Sequence, residues 1–159
     1  MENRYLVFGI GNTLRGDDGA GVLACEQWAL QANGLPIDFH TCHQLTPELA
    51  EMMAGRPGVI FLDASLQVEI GRFRVRAVLP AERFQCWGHR VQAEQLLALT
   101  RDCYGMHLSA WSVEFGAGDF EAGAEVQPAV VKAIRTFVRW VRRKSPCVLE
   151  PTALLVRHP

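Results

Sequence analysis

The chain has 159 residues, the size of one ordinary domain, and 49% of them are hydrophobic. That apolar content supports a buried core and excludes wholesale disorder. With 16 basic against 17 acidic residues the net charge is -1, so no bulk attraction to nucleic acid or to an anionic membrane is expected.

Tyr5 to Phe8 is a short apolar run closed by Gly9, the pattern of a buried strand. It is too short for the central region of a signal peptide, and no window reaches the roughly 20 apolar residues of a membrane span. A cytoplasmic protein is expected. The chain then passes through "VFGIGNTLRGDDGAGV", Val7 to Val22, into a helix from Gly19 to about Ala32, with Val22, Cys25, Ala29 and Leu30 at helical spacing. Asn33-Gly34 and Pro36 stop it. Ile37 to Cys42 reads as a second strand. Pro47 to Ala54 reads as a helix with Thr46 as N-cap and Pro47 at its first position. Val59 to Leu62 is a third buried strand, ending in Asp63.

Phe73 to Val78 alternates apolar residues with arginine, as in a half-exposed strand. Only about nine residues separate it from the third strand, too few for a parallel crossover, so it is expected to be antiparallel to its neighbour. Val91 to about Cys103 is a helix, Leu108 to Phe115 a strand, and Gly116 to Glu125 a glycine-rich acidic loop. Pro128 to Lys144 is an amphipathic helix. Val130, Ile134, Phe137, Val138 and Val141 face inward, while Lys132, Arg135, Arg139, Arg142 and Arg143 face water. Residues 145–159 read as a tail outside a single domain spanning 1–144.

Alternating strands and helices predict an α/β fold. It is a three-layer sandwich with a five-stranded, mostly parallel twisted sheet, one antiparallel strand, and helices on both faces. Sites in such sheets lie beyond the carboxyl ends of the parallel strands. Asn12, Asp17 and Asp18 follow the first strand, His43 and Gln44 the second, and Asp63 closes the third. A helix leading into a parallel strand starts at that same edge, which brings His89 there too. The segment from Leu79 to Gly88 can cross back to it, since ten residues span up to roughly 33 Å. Two carboxylates and an imidazole, Asp18, Asp63 and His89, make a plausible ligand set for a divalent transition metal. Trp87 stands beside the histidine as core or as a peptide-contacting surface.

The first loop also invites a phosphate-binding reading through Gly9 and Gly11. The third glycine of a dinucleotide fingerprint is missing, however, with Leu14 in its place, and no P-loop lysine follows. Asp17 and Asp18 would repel a pyrophosphate. Asp17 alone is explained as a helix-start carboxylate. The five cysteines, Cys25, Cys42, Cys86, Cys103 and Cys147, form no Cys-x-x-Cys unit and read as buried reduced thiols.

Taken together, Gly9-Ile-Gly11-Asn12-x-Leu14-x-x-Asp17-Asp18-Gly19-x-Gly21-Val22 closely resembles the opening motif of the nickel-iron hydrogenase maturation endopeptidases. "VIFLDAS", Val59 to Ser65, resembles the family's second motif, and "GHRVQAEQLL", Gly88 to Leu97, its third. "FGAGDFEAGAEVQPAVVKAI", Phe115 to Ile134, is similar to its late loop and last helix.

The resemblance implies a five-stranded α/β fold and a hydrolase that removes a C-terminal extension from the hydrogenase large-subunit precursor once nickel has been inserted. It implies that Asp18, Asp63 and His89 meet the nickel carried by that substrate, and that the chain itself holds no tightly bound cofactor. Some family members carry Glu at the Asp18 position; this chain has the shorter side chain. Gly9, Gly11, Asn12, Asp17, His43 and Gln44 fall in the surrounding loops, as substrate-facing or loop-shaping residues. "CHQLTPELAE", Cys42 to Glu51, resembles members serving NAD-linked bidirectional hydrogenases. A monomer acting on that precursor is expected. The alternatives are a nucleotide-binding oxidoreductase or regulatory module, a non-catalytic nickel-sensing chaperone, and a general peptidase with its own zinc.

Overall fold

Apolar runs, one per strand, build the centre of the molecule. The computed structural model describes residues 4–85 and 91–144, so Trp87, His89 and the expected tail at 145–159 lie outside the described residues. In chain order the elements are β1 (Tyr5–Ile10), a 3-10 turn (Gly16–Gly19), α1 (Ala20–Ala29), β2 (Ile37–Cys42), α2 (Leu49–Met53) and β3 (Gly58–Ser65). β4 (Phe73–Ala77), α3 (Ala93–Tyr104), β5 (Ser109–Gly116) and α4 (Pro128–Lys144) complete the set.

The sheet has five strands in the order β2-β1-β3-β5-β4. β2, β1, β3 and β5 run parallel, and β4 runs antiparallel to β5. The antiparallel strand is as the short connection predicts, but its neighbour is not β3. β5, formed later in the chain, takes the place between them. The β3–β4 connection therefore passes over the end of β5, and the Gly116 amide donates to the Arg72 carbonyl at 2.9 Å.

Alternation along the strands separates two cores. Val7, Ile60, Leu62, Trp111, Val113 and Phe115 face α1 and α4, where Trp28, Val130, Ile134, Phe137, Val138 and Val141 are buried. Phe137 packs edge-on against Trp28, Phe73 and Phe115, with ring centroids 5.5–5.6 Å apart. Aromatic pairs of this kind add about 0.5–1.5 kcal/mol each beyond burial. The opposite face, with Leu6, Phe8, Val59, Phe61 and Ala110, is covered by α2 and α3 through Met53, Leu96 and Leu97. Polar residues on α4 stay outside, as its sequence period dictates: Lys132, Arg135, Arg139, Arg142 and Arg143 are all exposed.

Two local readings need correction. α2 begins at Leu49, and Thr46 does not cap it through its side chain. The lead-in is a pair of turns, Leu49 amide to Thr46 carbonyl and Ala50 amide to Pro47 carbonyl, both 3.1 Å. Among the cysteines, Cys25 is buried as expected but Cys103 is exposed. No helix among the described residues is long and apolar enough to cross a membrane.

Candidate functional site

The carboxyl ends of β1, β2 and β3 carry the polar residues that the topology predicts there. The Gly11 amide donates to the Cys42 carbonyl at 3.0 Å, tying the end of β1 to the end of β2. Gly11 has φ +137°, and a Cβ there would collide with the Asp18 carbonyl oxygen. Gly9 lies under Cys25 of α1, and a Cβ at Gly21 would meet the carbonyl oxygens of Ile10 and Leu62. The start of α1 therefore rests directly on the ends of β1 and β3. Asp18 precedes that contact by three residues and Asp63 follows Leu62, so both carboxylates reach one edge.

These glycines face protein. They let neighbouring segments approach closely, which is the loop-shaping side of what was expected of Gly9 and Gly11.

Asp17 and Asp18 diverge. Asp17 is fully buried. Its Oδ2 accepts from the Gly118 amide at 2.9 Å, the Asp119 amide at 3.0 Å and the Gln127 Nε2 at 2.7 Å. Its Oδ1 accepts from the Gln127 amide at 2.8 Å, one residue before α4. Burial works against its charge. The Gln127, Gly118 and Asp119 amides and the Gln127 side chain outweigh that and hold the carboxyl below its ordinary value. Its role is thus not to cap its own helix but to tie the first loop to the last. The backbone adds to this seam: the Asp17 amide donates to the Asp119 carbonyl at 2.8 Å and Gly123 to Leu14 at 2.8 Å.

Asp18 is half-buried. Its Oδ2 accepts from the Asn12 amide at 2.9 Å, while the Asn12 Oδ1 accepts from the Leu14 amide at 2.9 Å. Asn12 is therefore a loop-shaping residue that also steadies Asp18. Asp63 is half-buried, and its Oδ1 accepts from the Ala64 amide at 2.8 Å.

A cleft of about 130 Å³ opens beside Asp63. Gln44, Ser65, Arg76, Glu94 and Glu114 form its polar wall, and Ile10, Leu45, Phe61 and Val91 its apolar floor. His43 is exposed and does not line it. The Val91 amide donates to the Leu45 carbonyl at 3.1 Å, pinning the entry to α3 against the loop after β2. His89 itself lies outside the described residues. Among those that are described, no three His, Cys, Asp or Glu side chains converge as a metal site.

Cys25 and Cys42 are unsuited to nucleophilic work; Cys86 and Cys147 lie outside the described residues. Burial pushes Cys25 up to about 12. Burial and the nearby Asp63 charge push Cys42 up to about 11.

Sequence reading missed the ion-pair group on the cleft wall. Arg74 and Arg76 of β4, both partly exposed, converge on the largely covered Glu114 of β5 on the α2–α3 face of the sheet. Burial opposes the Glu114 charge, and Arg76 and Arg74 outweigh it, holding the carboxyl below its ordinary value. The available signal was the matching alternation of "FRVRA" and "WSVEF". It became legible only once β4 was known to pair with β5.

No protein-family model and no curated protein matches the chain. Solved structures do. The [NiFe] hydrogenase maturation protease HycI from Thermococcus kodakarensis KOD1 is 19% identical, with a TM-score of 0.70 over 89% of this chain and 91% of that one. The hydrogenase maturating endopeptidase HybD from E. coli is 23% identical, with a TM-score of 0.66 over 90% and 94%. This chain has the fold of the hydrogenase maturation proteases. The hydrogenase 2 maturation peptidase from Thaumarchaeota archaeon SCGC_AB-539-E09 is 23% identical, with a TM-score of 0.61 over 92% of this chain and 99% of that one. The maturation-protease fold thus accounts for nearly the whole length on both sides.

Proposed function

We propose that this chain is an endopeptidase that removes the C-terminal extension of a nickel-iron hydrogenase large-subunit precursor after nickel insertion. The observation that carries the reading is the placement of Asp18 and Asp63 at one edge of a fold shared with maturation proteases. The ordered motifs around both residues support it. In this reading Asp18, Asp63 and His89 contact nickel that belongs to the substrate, so the chain needs no resident cofactor. Nickel supplies Lewis-acid chemistry to the scissile carbonyl or to a bound water. A carboxylate of the edge takes the proton from water as general base. The cleft beside Asp63 receives the extended segment around the bond, and Gln44 and Ser65 offer it hydrogen bonds.

The partner is the precursor, met by a monomer in the cytoplasm. The Cys42–Glu51 stretch favours a precursor of the NAD-linked bidirectional class. Incubation of nickel-loaded precursor with the protein, read by intact mass, should show loss of the extension. Asp63→Ala, folded by circular dichroism, should leave the precursor whole. Processing at the parental rate by that variant would refute the reading.

The nucleotide-binding alternative is disfavoured by the first loop, whose glycines are filled from behind by Cys25 and the Asp18 carbonyl.

A further inference from the structure

Glu114 stands directly beside Asp63 in the β3–β5 register, and both line the cleft. Neighbouring strands lie about 4.8 Å apart, and side chains in register project to the same face. An unrestrained Glu114 would therefore share with Asp63 any cation placed there.

Both of its oxygens are committed elsewhere. Oε2 accepts from Arg74 Nε at 2.8 Å and Nη2 at 2.5 Å, and Oε1 accepts from Arg76 Nε at 2.8 Å. Arg76 Nη1 also donates to Glu94 of α3 at 3.1 Å, which fixes the guanidinium from a second side. The Glu114 side chain is only 13% exposed. A simple cross-strand ion pair needs one arginine, and Arg74, directly opposite Glu114, supplies it. Arg76, two residues along, takes the remaining oxygen. The second arginine adds little to strand pairing but leaves neither Glu114 oxygen without an arginine donor.

We propose that Arg74 and Arg76 are positioning residues that hold Glu114 away from the metal met by Asp63. This rests on the reading of Asp63 as a nickel contact. With Glu114 withheld, the edge engages nickel while the precursor brings its own ligands, and does not extract or retain the ion. Released, Glu114 and Asp63 would form a paired-carboxylate site in this chain itself, and the protease would compete with its substrate for nickel.

Equilibrium dialysis of the purified full chain against Ni²⁺ alone reads the restraint without any cleavage. R74Q/R76Q is expected to bind Ni²⁺ about tenfold more tightly than the parent. Adding E114Q, or adding D63A, should return the affinity to the parental level. Melting curves confirm which variants are folded. R76Q alone, which frees only Oε1, should tighten binding to a smaller degree and serves if the double variant melts. Unchanged affinity in the folded arginine variants would overturn the proposal, as would tightening that survives E114Q or D63A. The processing assay stands apart from this one. Loss of nickel dependence there would refute the proposed function, while dialysis would still report on the clamp.

Discussion

Asp17 and Asp18 are adjacent in sequence, yet the fold treats them as different kinds of residue. Asp17 is fully buried and accepts four hydrogen bonds from residues more than a hundred positions away. Asp18 is half-buried and accepts one, from the Asn12 amide at 2.9 Å. A fully buried carboxylate that accepts four hydrogen bonds cannot receive a metal or a proton from substrate without breaking the fold. One with an open oxygen can. Under the proposed function the first loop is built in two layers, one that fastens and one that acts.

The comparison breaks most clearly on activity. Asp18→Ala should reduce processing of nickel-loaded precursor by at least about 100-fold, measured as initial rate, with the melting temperature within a few degrees of the parent. Asp17→Ala should do the reverse in kind. It leaves buried amides of Gly118, Asp119 and Gln127 without their acceptor, so urea unfolding should report a loss of about 3 kcal/mol, and activity should follow the folded fraction.

Gly11→Ala tests the close approach that supports both layers. At φ +137°, with the Asp18 carbonyl in the way, it should cost about 2 kcal/mol or more in the same unfolding experiment.

A weaker effect at Asp17 is set by pH. The folded-state value of Asp17 is lowered from 3.8, so its stabilisation is complete above that pH and is lost as pH falls through the folded value. Melting temperatures of the parent should therefore fall more steeply below pH 4 than those of Asp17→Asn. The smallest change is expected at His43, exposed and off the cleft wall. His43→Ala should leave unfolding free energy within about 0.5 kcal/mol of the parent.

Much of this was legible in the chain. Apolar runs ending in glycine or aspartate located β1 and β3, and the 3.6-residue period of α4 named its buried side correctly. Asp18 and Asp63 could be placed at one edge because strand direction alone decides where a strand ends. What the sequence concealed depends on pairing between distant segments. The fastening role of Asp17 requires Gly118, Asp119 and Gln127 to come to it, and no local pattern near Asp17 announces them. The same holds for β4: its length and alternation were readable, but its neighbour was not. The joint hold of Arg74 and Arg76 on Glu114 was hidden with it. The start of α2 was misread for a local reason, since Thr46 and Pro47 fit a cap but the chain enters through turns first.

The central claim is that the protein cuts only a precursor that already carries nickel. Purified protein should be mixed with precursor prepared with and without inserted nickel, and the release of the C-terminal extension followed by mass spectrometry. The account predicts release from the nickel-loaded form and none from the nickel-free form. Equal release from both would contradict it.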